Sequence, residues 1–132
     1  MGAYSVLARI PGTVENDAFY FTLNVNGVDV PQMILDTGAF ELTFNATVAD
    51  SLGLKNLGPI QIGGVGGTVQ AYQSVCTLNF GGRTYQDVPC IVDPDFSGSG
   101  LFGLRFFVDS QYALALDPIS QQFFILGGST AS

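Results

Sequence analysis

From Ala18 to Asn24 the chain alternates Phe19, Phe21 and Leu23 with Tyr20, Thr22 and Asn24, and Asn26-Gly27 follows at once. A period of two sends successive side chains to opposite faces of an extended strand, and Asn-Gly supplies the two positive-φ residues of a tight hairpin. Val28–Leu35 is the return strand. The same grammar recurs along the chain, where 17 glycines separate short runs rich in aromatic and β-branched residues. Such a chain is committed to many short antiparallel strands.

The remaining elements follow from that reading. Ala3–Arg9 is a strand ended by Pro11-Gly12, and Leu42–Phe44 a short extended piece. Asn45–Leu52 is the best helix, with Asn45 or Thr47 as cap, an apolar stripe of Val48, Ala49 and Leu52, and Gly53 as its stop. Leu57–Ile62 is extended. Val69–Phe80 and Arg83–Val92 form a long hairpin around Gly81-Gly82. Asp93–Gly100 is a polar loop, Leu101-Phe102 a very short strand, and Leu104–Val108 a helical turn. Tyr112–Leu116 and Phe123–Leu126 are the final strands, and 127–132 reads as a flexible tail. The expectation is one all-β domain over 1–132, closed or sandwiched, with one or two short helices.

Charge and composition remove several functions. The net charge is -7, and the only cations, Arg9, Lys55, Arg83 and Arg105, are scattered. Nucleic-acid binding needs clustered Lys and Arg, and an anionic membrane repels this sign of charge. The chain has no His, so Ser-His-Asp and Cys-His catalysis and the commonest metal ligand are gone. No metal or cofactor is expected, and acid-base chemistry falls to carboxylates. No apolar run is long enough for a membrane-spanning helix, and no secretory leader is visible. Met1-Gly2 lacks the Ser or Thr at position six of a myristoylation signal, and Asn45-Ala46-Thr47 is a glycosylation site only in a secreted protein. Folding the Gly81-Gly82 hairpin sets Cys76 opposite Asp87, away from Cys90. Both therefore read as buried free thiols, which leans towards a reducing compartment such as the cytoplasm.

Three short stretches carry chemistry. In Ile34-Leu35-Asp36-Thr37-Gly38-Ala39 an ionisable side chain follows a buried strand directly. Gly38 permits a sharp turn, and the Thr37 hydroxyl can fasten it. Alone, this fits a strand-ending Asx-turn equally well. Gly63-Gly64-Val65-Gly66-Gly67 lacks the Lys-Ser/Thr and the following helix of a phosphate loop. It reads as an ordinary hairpin tip or as a flexible flap over a site. Leu101-Phe102-Gly103 alone is indistinguishable from core.

In this order and at these separations, the three stretches resemble the retropepsin-like (retroviral-type) aspartic proteases, as a cellular, non-viral member. The likeness spans about Phe19 to Ile125. It implies a closed β-barrel with one catalytic Asp per subunit, so that a homodimer completes the site. Asp36 would be the catalytic carboxylate, Thr37 the residue that locks the two loops across the dimer axis, and Gly38 a backbone contact to a peptide. Gly63, Gly64, Val65 and Gly66 would close over an extended peptide or protein substrate. Ile34, Ala39, Phe40, Glu41, Leu101 and Ser99 would line its side-chain pockets, which by resemblance favour apolar residues. Where retroviral enzymes carry paired acids this chain has Phe40-Glu41, and where they carry Arg after the supporting Gly it has Leu104, with Arg105 one place on. A buttressing ion pair is then lost or rebuilt as Glu41 with Arg105. Ala39, where pepsin-like enzymes often have Ser, points to a mildly acidic to neutral pH optimum. The expected activity is aspartic endopeptidase. The competing reading is the same fold as a peptide-binding or dimerisation module with little or no turnover; a lipocalin-like barrel fits the short strands poorly.

Overall fold

The computed structural model describes residues 3–64 and 67–128. It contains β1 (Tyr4–Glu15), β2 (Ala18–Val25), β3 (Val28–Leu35), β4 (Thr43–Phe44), α1 (Ala46–Leu52), β5 (Pro59–Gly64), β6 (Gly67–Phe80), β7 (Arg83–Val92), β8 (Gly100–Phe102), α2 (Arg105–Ser110), β9 (Tyr112–Asp117) and β10 (Gln122–Gly128). The strands form one sheet in the order β5-β6-β7-β4-β8-β3-β2-β1-β10-β9. A further pairing, Asn24 with Asn79 and Val25 with Leu78, joins β2 to β6 and brings the two ends of the central run together. The all-β class expected from the alternation holds.

Most elements lie where the pattern put them, and the differences have local causes. β1 runs straight through Pro11-Gly12: Tyr4–Pro11 pairs with β10, then Gly12–Glu15 with β2. A Cβ on Gly12 would sit 2.3 Å from the Tyr20 carbonyl oxygen and 2.5 Å from the Phe19 ring. That glycine serves a close crossing and breaks no strand. The turn comes later, at Asn16 and Asp17, both at positive φ. α1 is capped by Asn45, whose Oδ1 accepts the Val48 N–H at 2.7 Å, and it stops at Gly53 with φ 69°. β10 continues through Gly127 and Gly128, into the stretch expected as a tail, whereas 129–132 lie outside the described residues.

Two bulges break simple hairpin counting. In β7 the register shifts by one residue across Asp87 (φ 56°), so Cys76 faces Val88 instead of Asp87. Cys76 and Cys90 are both free and buried, as expected, but they are neighbours. The Cys90 thiol, with burial behind it, pushes the Cys76 thiol far above its usual range. In β3 the shift falls across Pro31 and Gln32, where Gln32 has φ 61°, and it sets Tyr20 opposite Ile34.

The core is aromatic. Phe21 packs against Phe102 and Phe123 at centroid distances of 5.9 and 5.1 Å, and Phe102 against Phe106 and Phe107 at 5.7 and 5.3 Å. Each ring contributes on the order of 2–3 kcal/mol by burial. This chain of rings fixes β8 and α2 directly behind the end of β3.

Candidate active site

β3 delivers the site because its last residues are held on β8. Met33, Ile34 and Leu35 pair in parallel with Gly100, Leu101 and Phe102. β8 is squeezed between β3 and β4, and a Cβ on Gly100 would lie 2.3 Å from the Thr43 carbonyl oxygen. The Asp36 N–H then donates to the Phe102 carbonyl at 3.1 Å, and the strand ends in a turn. There the Gly38 N–H donates to Asp36 Oδ1 at 2.9 Å, and the Ala39 N–H to the Asp36 carbonyl at 3.2 Å. The turn orients the carboxylate. Asp36 is half-buried, and Thr37 and Gly38 are exposed.

The chain after the turn is tied down from behind. The Leu104 and Arg105 N–H groups donate to the carbonyls of Ala39 and Phe40, at 3.1 and 2.7 Å. A Cβ on Gly103 would fall 2.6 Å from the Phe40 carbonyl oxygen, so this glycine allows the two segments to touch. Leu101-Phe102-Gly103 thus supports the Asp36 loop through backbone contacts that its side chains do not advertise. Arg105 Nη1 lies 3.1 Å from Glu41 Oε1, and Arg105 Nε lies 3.4 Å from Asp109 Oδ2. The buttressing pair is present in its rebuilt form. The Glu41 carboxylate raises the Arg105 guanidinium above its usual value.

The expected substrate-binding residues do not share one cleft. Ile34 lines a cleft of about 520 Å³ with Tyr20, Gln32, Asn45, Phe96 and Ser99. Glu41 lines a separate cleft of about 240 Å³ with Leu57, Ile60, Ile91 and Arg105. Gly63 and Gly64 end β5 and pair with Thr68 and Gly67 of β6, a hairpin whose Val65 and Gly66 lie outside the described residues. Phe40 is 51% exposed beside the loop, Ala39 is half-buried, and Leu101 is half-buried between Ile34 and Thr43. Sequence reasoning missed Tyr20, Gln32 and Phe96. Tyr20 is brought to Ile34 only by the bulge in β3, which no turn signal announces. A further cleft of about 510 Å³, between β7 and α2, holds none of the expected residues. Among the described residues no group of His, Cys, Asp and Glu is arranged to hold a metal, and no helix is long and apolar enough to cross a membrane.

The family model described as aspartyl protease matches residues 21–106, a stretch that holds the Asp36 turn, the β5–β6 hairpin and Leu101-Phe102-Gly103. Among solved structures, the chain is similar to a retropepsin-like aspartic protease from Rickettsia conorii, with 17% identity and a TM-score of 0.64 over 96% of this chain and 93% of that one. It is also similar to EIAV protease complexed with the inhibitor HBY-793, with 22% identity and a TM-score of 0.60 over 79% of this chain and 100% of that one. These likenesses identify the fold as retropepsin-like. No curated protein matches the chain.

Proposed function

The chain belongs to the aspartyl protease family, and from that premise we propose that it is an endopeptidase that cleaves extended polypeptides with a water held between two Asp36 carboxylates of a homodimer. The observation that carries this reading is the Asp36 turn. A half-buried carboxylate is oriented by the Gly38 N–H and anchored through its own N–H on β8, at the end of the strand that lines a cleft. One chain offers one such carboxylate.

The chemistry needs two. Side by side, two carboxylates do not both ionise; they share a proton. The ionised member takes a proton from water as that water attacks the scissile carbonyl. The protonated member donates to the carbonyl oxygen, so no nucleophilic side chain is needed. Thr37, exposed on the same turn, would meet its counterpart across the axis, and the glycine-rich tip from Gly63 to Gly66 would pair with the peptide backbone as an added strand. The resemblance makes the terminal segments Ala3–Arg9 and Phe123–Leu126 interface candidates. β10 is paired inside the chain on both edges, with β1 and with β9, whereas Tyr4–Arg9 of β1 pairs along one edge only among the described residues. β9 ends the strand order, and it is the edge we assign to the partner copy.

The test is cleavage of a degenerate, unstructured peptide library by the full chain and by Asp36→Asn. The expected outcome is a loss of at least ~10³-fold in kcat/KM for the variant, with inhibition of the parent by a transition-state mimic of the pepstatin type. If parent and variant behave alike, the endopeptidase reading fails, and retention of peptides without turnover would establish the binding-module alternative.

A further inference from the structure

We propose that the cleft between the end of β3 and the 93–99 loop is a side-chain pocket of the substrate site that prefers amide- or hydroxyl-bearing residues, with Tyr20 and Gln32 setting that preference. This rests on the protease reading and departs from the apolar pockets that the family resemblance implies. The cleft borders Ile34, two residues before Asp36, or about 7 Å along a strand. An extended peptide running past Asp36 would therefore place there a side chain within about two residues of the cut.

The wall is only half apolar where the resemblance implies hydrocarbon: Tyr20, Gln32, Asn45 and Ser99 stand beside Ile34 and Phe96. Tyr20 stands opposite Ile34 because of the β3 bulge, and Gln32 lies at that bulge with φ 61°, a conformation long side chains rarely adopt. The Tyr20 hydroxyl and the Gln32 amide each both donate and accept hydrogen bonds. Ser99 adds a hydroxyl on the facing loop. That loop is fixed before any peptide arrives. The Asn45 side-chain NH₂ donates to the Gly98 carbonyl, and the Asn45 N–H to the Ser99 carbonyl at 3.1 Å. The Phe96 ring lies 2.9 Å from where a Gly98 Cβ would be, so only glycine lets it seat there. A rigid pocket lined with hydrogen-bonding groups discriminates against side chains that leave those groups unpaired.

The experiment compares the parent with Tyr20→Phe/Gln32→Met, which keeps shape and removes the hydrogen-bonding atoms. A degenerate peptide library is cleaved by both, and the same library is selected for binding to Asp36→Asn with and without the two changes. The expected result is parental preference for Asn, Gln, Ser or Thr over Leu and Met at one position near the cut. The double variant should move that ratio at least tenfold towards Leu and Met while other positions keep theirs; either single variant serves if the double does not fold. A parent that prefers apolar residues at every position within two of the cut overturns the proposal, as do superimposable profiles. Absence of any cleavage rejects the protease reading instead. The binding selection then decides the pocket alone, and a selection without a Tyr20- and Gln32-dependent polar position overturns it.

Discussion

Asp36 and Gly103 show how much depends on single atoms. Asp36→Asn keeps the shape of the turn and removes the ionisable group, and it should abolish turnover while leaving the fold intact. Gly103→Ala acts in the opposite sense. Its Cβ would meet the Phe40 and Glu41 carbonyl oxygens at 2.6 and 2.7 Å, and both are backbone atoms with nowhere to move. We expect about 2–4 kcal/mol of destabilisation, read as a lowered urea midpoint, together with loss of cleavage because the Asp36 loop is pushed forward. Glu41→Gln is milder. The ion pair with Arg105 is partly open to solvent, at 37% and 22% side-chain exposure. It should lose no more than about 1 kcal/mol. Asp36-Thr37-Gly38 was legible as a motif. The reason Gly103 must be glycine was not, because the atoms it would strike lie more than sixty residues away in sequence.

At the scale of elements, α1 and the 93–99 loop form one unit joined by Asn45. Its Oδ1 caps the helix and its side-chain NH₂ holds the Gly98 carbonyl. Asn45→Ala should cost about 1–2 kcal/mol and also blur specificity at the Ile34 cleft, so a urea titration and a cleavage profile should both change. α2 is seated by an aromatic cluster in which Phe106 packs on Phe80 and Tyr85, and the Tyr85 and Tyr112 hydroxyls lie 3.1 Å apart. Burial, then that hydrogen bond, pushes the Tyr85 hydroxyl up to about 12. A raised folded-state value favours the neutral form. The stabilisation is therefore complete below the ordinary tyrosine range near 10, and it is lost as pH rises through about 12. Tyr85→Phe should remove this alkaline loss, visible as a flatter dependence of melting temperature on pH between about 10 and 12. The sequence announced α1 by its apolar stripe and its stop signal and α2 only as a helical turn over Leu104–Val108, and in neither case what the helix holds.

At the scale of the molecule, the proposed two-carboxylate mechanism, with a single Asp36 per chain, makes activity a property of the assembly. Specific activity should fall as enzyme is diluted below the dimer dissociation constant, with sedimentation following the same curve. Leu116, 45% exposed on the edge strand β9, is the place to test the interface. Leu116→Lys should weaken dimerisation and dilute-enzyme activity with little effect on monomer stability, because a charge on an open edge discourages strand addition. By itself the sequence determined the all-β class, most strand limits, the caps of α1 and the three motifs, because alternation, turn chemistry and capping are encoded within a few neighbouring residues. Only the tertiary structure decided which chain segments meet. Two one-residue bulges, at Gln32 and Asp87, reset the register, bringing Tyr20 to Ile34 and Cys76 beside Cys90. A bulge is the compromise between a strand and all its partners at once, and no local pattern carries that information.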